Sequence, residues 1–172
     1  MAIRYLEPPY VMKFAETLRD LAEKGNIYFI GLPVQSGSSE VLKKMHRMPN
    51  VDDYVALLKD LRKIKGLFMG TSMINGFPGE TEDDHQKSLK FIRDIQFDVV
   101  SFQPFSIRKG TPAETMPNQI SQMEKEKRYR EMEKTVSEVR KKRFGKYISD
   151  FTFGTNLSAS EQKILQDALN II

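Results

Sequence analysis

"FIGLPVQSGSSEVLKKM", residues 29–45, passes from a continuous apolar run through Gln-Ser-Gly-Ser-Ser into a segment with helical spacing. An apolar run of this kind suits a strand buried on both faces, as in a parallel sheet, better than a half-exposed strand. The polar hinge after it has two readings. It is a turn, with Gly37 for an unusual φ and Ser38 or Ser39 as helix cap; or it is a ligand-binding strand end, where α/β proteins place such groups.

Outward from that hinge, strand and helix patterns alternate. "AIRYLEP" reads as a short strand stopped by Pro8 and Pro9, and Val11, Phe14, Ala15, Leu18 and Leu21 follow helical spacing. After the hinge, Val41, Leu42 and Met45 give a short helix. Asn50 is the expected cap of a second, with Tyr54, Leu57, Leu58, Leu61 and Ile64 on its apolar face. "LFMGTSMI" is the third strand, "NGFPGE" a turn, and Thr81 with Asp84 a capping box for the helix carrying Leu89, Ile92 and Ile95. "FDVVSFQPF" is the fourth strand. A loop at 106–118 then leads to Ser121 and Glu124, a capping box for a long helix with Tyr129, Met132, Val136 and Val139 as its stripe. Ser158 or Ser160 is a candidate cap for a final short helix.

Four strands separated by helices require parallel crossovers, in either an open doubly wound sheet or part of a (βα) barrel. Both put ligands at the strand C-termini. "QSGSS", "NGFPGE" and "SIRKGTPA" all fall at such ends. Gly76 and Gly79 let backbone approach a ligand, though the turn is neither a Walker A loop nor a GxGxxG fingerprint, and Pro78 lacks an amide. Glu80 and Asp84 complement the following helix dipole. Arg108 and Lys109 are an anion site or solvated loop charges.

The 172 residues include no cysteine, which excludes from this chain disulfides, thiolate zinc sites, cysteine nucleophiles and cysteine-bound clusters. His46 and His85 belong to no ligand or triad spacing. No apolar run approaches the roughly 18 residues of a membrane span and no signal peptide opens the chain, so the expected location is the cytoplasm. The chain carries a net +4, yet residues 124–146 alone hold ten basic and five acidic side chains. That excess is a polyanion contact or a solvated helix face with internal ion pairs; Arg140, Lys141, Lys142 and Arg143 in a row favour the former.

Taken in order, "IRYLEPP", "LPVQSGSSEVLKKM", "MINGFPGETEDD", "FDVV" and "FSIRKGTPAETMPNQI" resemble the methylthiotransferase family of radical S-adenosylmethionine (SAM) enzymes over roughly residues 3–131. The resemblance implies an α/β fold, a partial (βα) radical SAM TIM-like barrel with about four parallel strands and a long C-terminal helix. It implies that residues 1–120 supply the third to sixth βα units, 121–148 a basic amphipathic helix completing the domain, and 149–172 a tail. The first two units, with the CxxxCxxC loop that ligates a 4Fe-4S cluster, are expected outside this sequence. The resemblance thus implies a truncated chain or a fragmentary gene product, expected to be inactive alone, from a parent expected to methylthiolate tRNA.

By the same resemblance, Gln35, Ser36 and Gly37 lie at one SAM-facing strand end, Ile74, Gly76 and Phe77 along the adenosine strand, and Phe105 and Arg108 beside the last. None is assigned a proton-transfer role. Gly31, Ser72 and His85 depart from the pattern, standing where histidine, aspartate and an aromatic residue are usual. Expected partners are tRNA, through Arg140, Lys141, Lys142 and Arg143, and the remaining barrel units in cis or in trans. Self-association through the open "AIRYLEP" edge is also expected. The competing readings are a degenerate barrel serving as an RNA- or protein-binding module, and a piece of another radical SAM branch.

Overall fold

The computed structural model describes residues 1–47 and 50–152, with side chains to residue 144. Its elements are β1 (Ala2–Ile3), α1 (Pro8–Lys13), α2 (Ala15–Glu23), β2 (Phe29–Gln35), α3 (Ser39–Lys44), α4 (Val51–Leu61), β3 (Phe68–Asn75), α5 (Glu82–Ile95), β4 (Val99–Pro104) and α6 (Gln122–Thr152), with a 3-10 turn at Pro112–Glu114. The expected terminal helix capped by Ser158 or Ser160 lies outside the described residues.

All three strand pairings are parallel, and the order is β1-β2-β3-β4. This order resolves the alternative left open by periodicity. A doubly wound sheet reverses its strand order at a switch point, whereas right-handed crossovers in unbroken order put every helix on the same face. The sheet is therefore an arc of a (βα) barrel, with an outer face under helices and an inner face toward the barrel interior.

Strand alternation confirms which face is which. Ile30, Leu32, Met69 and Met73 join Val11, Leu18, Tyr54, Leu58, Ile92, Met132 and Val136 in one core between sheet and helices. In register pairs Ser72↔Ser101 and Ile74↔Gln103, the side chains point to the other face. There Ser72 and Ile74 are half-buried and Ser101 and Gln103 exposed. The lower part of the inner face is filled: the Phe29 ring lies on Gly70, and a Cβ on Gly31 would collide with the Arg4 carbonyl.

Local signals hold with a few differences. The strand expected over "AIRYLEP" is shorter, ending at Ile3 well ahead of the prolines, and Pro8 and Pro9 instead start α1, where a missing amide costs nothing. The helix expected through Phe14 breaks there into α1 and α2. Ser38 is the cap of α3, accepting from the Val41 N–H. Asn50 makes no cap bond; its amide turns to Asp53, and Ser39 Oγ accepts the Val51 N–H at 3.3 Å. The Thr81–Asp84 capping box is complete. At α6 only half the box forms: Ser121 Oγ accepts from Glu124 N–H, while the Glu124 carboxylate turns to Arg128 Nε at 3.0 Å.

At the N-terminal end of the strands, Asp98 is the organising group. Its side chain is 1% exposed and accepts the Met69 N–H at 2.7 Å, Arg62 Nη1 at 2.6 Å and Arg143 Nε at 3.0 Å. One carboxylate thus joins β3, the end of α4 and α6. Removing one member of a buried charge cluster leaves the others uncompensated. Asp98→Ala is expected to lower unfolding free energy by ~3–5 kcal/mol, read as a shift in urea midpoint at unchanged slope.

Candidate functional site

The three loops at the strand C-termini are built by different contacts. After β2, Gln35 adopts φ 75, in the left-handed region, beside a register shift against β3. Its amide donates to Ser72 Oγ at 3.1 Å and to Pro33 O at 3.4 Å. Non-glycine residues held in that region cost conformational energy and concentrate at functional sites. Gln35 is therefore held over the inner face by backbone conformation and by β3.

Ser36 and Gly37 face the other way. Ser36 Oγ lies 3.3 Å from Ser88 Oγ and accepts the Ser38 N–H, and the Gly37 N–H donates to Ser88 Oγ at 2.9 Å. A Cβ on Gly37 would sit 2.7 Å from the Lys87 carbonyl and from Ser88 Cα. The glycine in "QSGSS" is thus required for close approach to α5. Ser38 Oγ also donates to Asp84 Oδ1 at 2.5 Å, so the cap of α3 and the capping box of α5 share one carboxylate.

After β3, the turn at Gly76 closes on itself. Gly76 has φ 74, and its N–H donates to Glu80 Oε2 at 2.5 Å; the Gly79 N–H donates to Asn118 O at 2.9 Å. These amides are occupied within the fold, which removes them from the anion cradle that the sequence allowed. Phe77, 7% exposed, meets Phe105 edge-on with centroids 5.0 Å apart at 68°. Phe105 is fixed at the end of β4 by its N–H on Asn75 O at 2.7 Å. Arg108 lies exposed on the loop beyond.

Three residues at this end had no site role from the sequence: Glu80, read there only as complementing the helix dipole, and Lys125 and Arg128, counted only within the basic segment. Glu80 and Arg128 form an ion pair at 2.8 Å with side chains 0% and 5% exposed. Arg128 Nη1 also donates to Glu80 O at 3.1 Å. Burial pushes the Glu80 carboxyl above its ordinary range, against the Gly76 N–H and Arg128, which pull it down. Its Oε1 finds no partner among the described residues. Lys125 lays its stem against Gly76 and donates from Nζ to Phe105 O at 2.9 Å. Its carbonyl accepts the Asn75 amide at 2.9 Å.

The four-residue basic run is divided. Arg140, Lys141 and Lys142 are exposed on α6, whereas Arg143 is engaged by Asp98. His85 is buried, with Nε2 3.0 Å from Glu131 Oε2 and Nδ1 without a partner among the described residues.

A parallel (βα) arc with an inner face exposed at its strand C-termini is a piece of a barrel-type fold, in which that end is the usual place for a ligand. The chain belongs to the Radical SAM superfamily, whose sequence pattern matches residues 3–92. It is similar to the tRNA-2-methylthio-N(6)-dimethylallyladenosine synthase of Clostridium botulinum (strain Langeland / NCTC 10281 / Type F), 39% identical over 66% of this chain and 26% of that protein. The protein of the same description from Caldicellulosiruptor saccharolyticus is 40% identical over 64% of this chain and 24% of its own length. The chain thus spans about a quarter of the curated relatives it matches. A solved structure of archaeal Methanocaldococcus infernus Elp3 with an N-terminal deletion aligns with 80% of this chain and 31% of its own, at TM-score 0.48 and 23% identity.

Two groups go with that superfamily, and the residues fit them differently. An iron–sulfur cluster needs thiolates, and this sequence has none. For SAM, the C-terminal half of the inner face offers the Ser72 hydroxyl, the Gln103 amide and Ile74, with the Phe77–Phe105 pair at the adjoining strand ends. The half-buried Phe105 ring, backed by the buried Phe77, is the apolar surface there, with hydrogen-bonding groups beside it, and a nucleoside fits such a surface.

Burial pushes the His85 imidazole below its ordinary range; Glu131 and Glu82 oppose this and Arg128 adds to it. A depressed folded-state value means that the neutral ring stabilises the fold above the ordinary histidine pKa, and that this contribution is lost as pH falls through the folded value. Replacing His85 with phenylalanine is therefore expected to flatten the decline in melting temperature between about pH 7.5 and about pH 5.5. An unchanged decline in the variant would show that His85 does not titrate on unfolding.

Proposed function

We propose that this chain is the SAM-facing arc of a radical SAM enzyme that methylthiolates tRNA, with the cluster held by cysteines outside these 172 residues. When bound, SAM supplies both the radical precursor and the methyl group of such chemistry. In this reading Gln35 holds the β2 end against Ser72, Ile74 and Phe77 with Phe105 receive the adenosine, and Ser36, Gly37 and Gly76 shape the loops. Arg108 stays at the outer rim. Without thiolates the chain does not carry out the radical step alone. The remaining barrel units, in the same polypeptide or a partner, would pair beside β1.

The observation that carries the proposal is the open inner face ending at the Phe77–Phe105 pair, in a member of this superfamily. It is supported by the tRNA-modifying relatives. Calorimetric titration of the chain with S-adenosylhomocysteine is expected to give weak binding that falls about tenfold in Phe77→Ala, through loss of an aromatic contact. Binding unchanged in that variant would sink this placement of the adenosine.

A second reading, a non-catalytic RNA-binding module, is favoured by one observation: Arg140, Lys141 and Lys142 are exposed together on α6. It predicts RNA binding whose logarithm falls with log salt at a slope of about −2 to −3, for about three phosphates neutralised. Replacing the three by alanine abolishes that slope; salt-independent binding rejects the reading.

A further inference from the structure

Whether Phe77 and Phe105 can form a platform depends on what holds the Gly76–Phe77 turn, whose own bonds, Glu80 N–H on Phe77 O at 2.9 Å and Gly76 N–H on Glu80 Oε2, close it on itself without tying it to a helix. Gly76 lacks a side chain, Pro78 has no N–H, and β3 ends at Asn75. Lys44 of α3 and the Asn118 carbonyl hold its far end at Gly79, and the fixed points at Gly76 and Glu80 come from α6, some fifty residues later in sequence. Glu80 reaches back to the Gly76 N–H with one carboxylate oxygen, Oε2, and that same oxygen accepts Arg128 Nη1 at 2.8 Å. Arg128 also takes the Glu80 carbonyl, and its Nε is held by Glu124 at 3.0 Å. Its guanidinium therefore bridges α6 and the turn in a planar fork that a lysine ammonium does not reproduce.

One turn earlier on α6, Lys125 closes the other side. Its stem covers Gly76 where a side chain would stand, and its ammonium ties to the Phe105 carbonyl. The two cations thus hold the two ring-bearing backbone segments separately. A solvated helix face would leave both at the surface; the residues are 6% and 4% exposed.

We propose that Arg128 is a positioning residue for the ligand-binding mouth, setting the Gly76–Phe77 turn through Glu80, with Lys125 doing the same for Phe105. The proposal rests on the SAM reading only for the identity of the ligand. Arg128 does not contact the ligand; it fixes the backbone that carries Phe77.

The test uses the whole 172-residue chain and two readouts. Backbone amide exchange by NMR reports Gly76 and Phe77 against the Ile30 amide in β2, and titration with S-adenosylhomocysteine reports the mouth. Arg128→Met is expected to speed exchange at Gly76 and Phe77 by about tenfold relative to Ile30, as loss of a charge-assisted hydrogen bond implies, and to weaken the titration similarly. Arg128→Lys restores the charge but not the fork, and recovers part of both. Should Arg128→Met fail to fold, Glu80→Gln keeps the shape while neutralising the acceptor, and is expected to speed Gly76 exchange selectively. Exchange at the turn that rises only in step with Ile30, or not at all, overturns the positioning role. If the unaltered chain gives no titration signal, the SAM reading fails, and selective exchange at the turn still decides the role of Arg128.

Discussion

The ligand face depends on α6 being pinned to the sheet at both ends by buried ion pairs. Arg128 meets Glu80 at the C-terminal end of the strands, and Arg143 meets Asp98 at the N-terminal end. Between them, Met132, Val136 and Val139 pack into the core and Tyr129 lies against Phe102 with centroids 4.9 Å apart. The apolar contacts supply the attraction but allow a helix to slide or rotate by small amounts. Buried charge pairs tolerate no such shift, because a displaced partner leaves an uncompensated charge. Their contribution here is register: they fix where along β3 and β4 the helix sits, and so where Lys125 and Arg128 stand relative to the mouth.

The same logic extends around the arc. The loops after β2 and β3 are each bonded to a helix outside their own βα unit, while the β4 end is bonded to α6 of its own unit. The β2 loop is tied to α5 through Ser88 and Asp84, and the β3 turn to α6 through Arg128 and Lys125 and to α3 through Lys44 Nζ on Gly79 O at 2.6 Å. The mouth is consequently a chain of contacts running in the direction of the barrel. A loop whose amides are occupied in this way contributes shape, and on the proposed reading the polar contact to a ligand falls to inner-face side chains such as Ser72 and Gln103.

The strands and the core were legible because they rest on periodicity: β2 reads as buried throughout, and it is. Strand order was not, since doubly wound sheet and barrel share the same alternation. The roles of Ser36 and Gly37 were not legible, since a close approach to α5 and a close approach to a ligand demand the same small residues. Glu80 was hidden by its place beside a helix start, where a carboxylate needs no further reason. Arg128 and Lys125 had a readable signal. The stripe Met132, Val136, Val139 extended backward by helical spacing reaches 128 and 125, and forward reaches 143. Those cations lie in phase with the core, while Arg140, Lys141 and Lys142 fall outside it. A count of charges over the segment averages the two faces and loses the distinction.

Ser72 changes the electrostatics of the mouth. Where the resembling family has an aspartate, this chain has a hydroxyl whose oxygen accepts from the Gln35 amide. The amide orientation follows from its second acceptor, the Pro33 carbonyl, which takes only a donor. Ser72 Oγ then keeps its own proton for the inner face. The inner-face residues Ser72, Ile74, Ser101 and Gln103 carry no formal charge, and the ammonium of Lys125, from α6, that reaches the end of β4 is positive. SAM carries a positive sulfonium. On the proposed reading, an arc that offers that charge no carboxylate along β3 and β4 recognises the nucleoside end by shape and hydrogen bonds, and leaves the counter-charge to the units that complete the barrel.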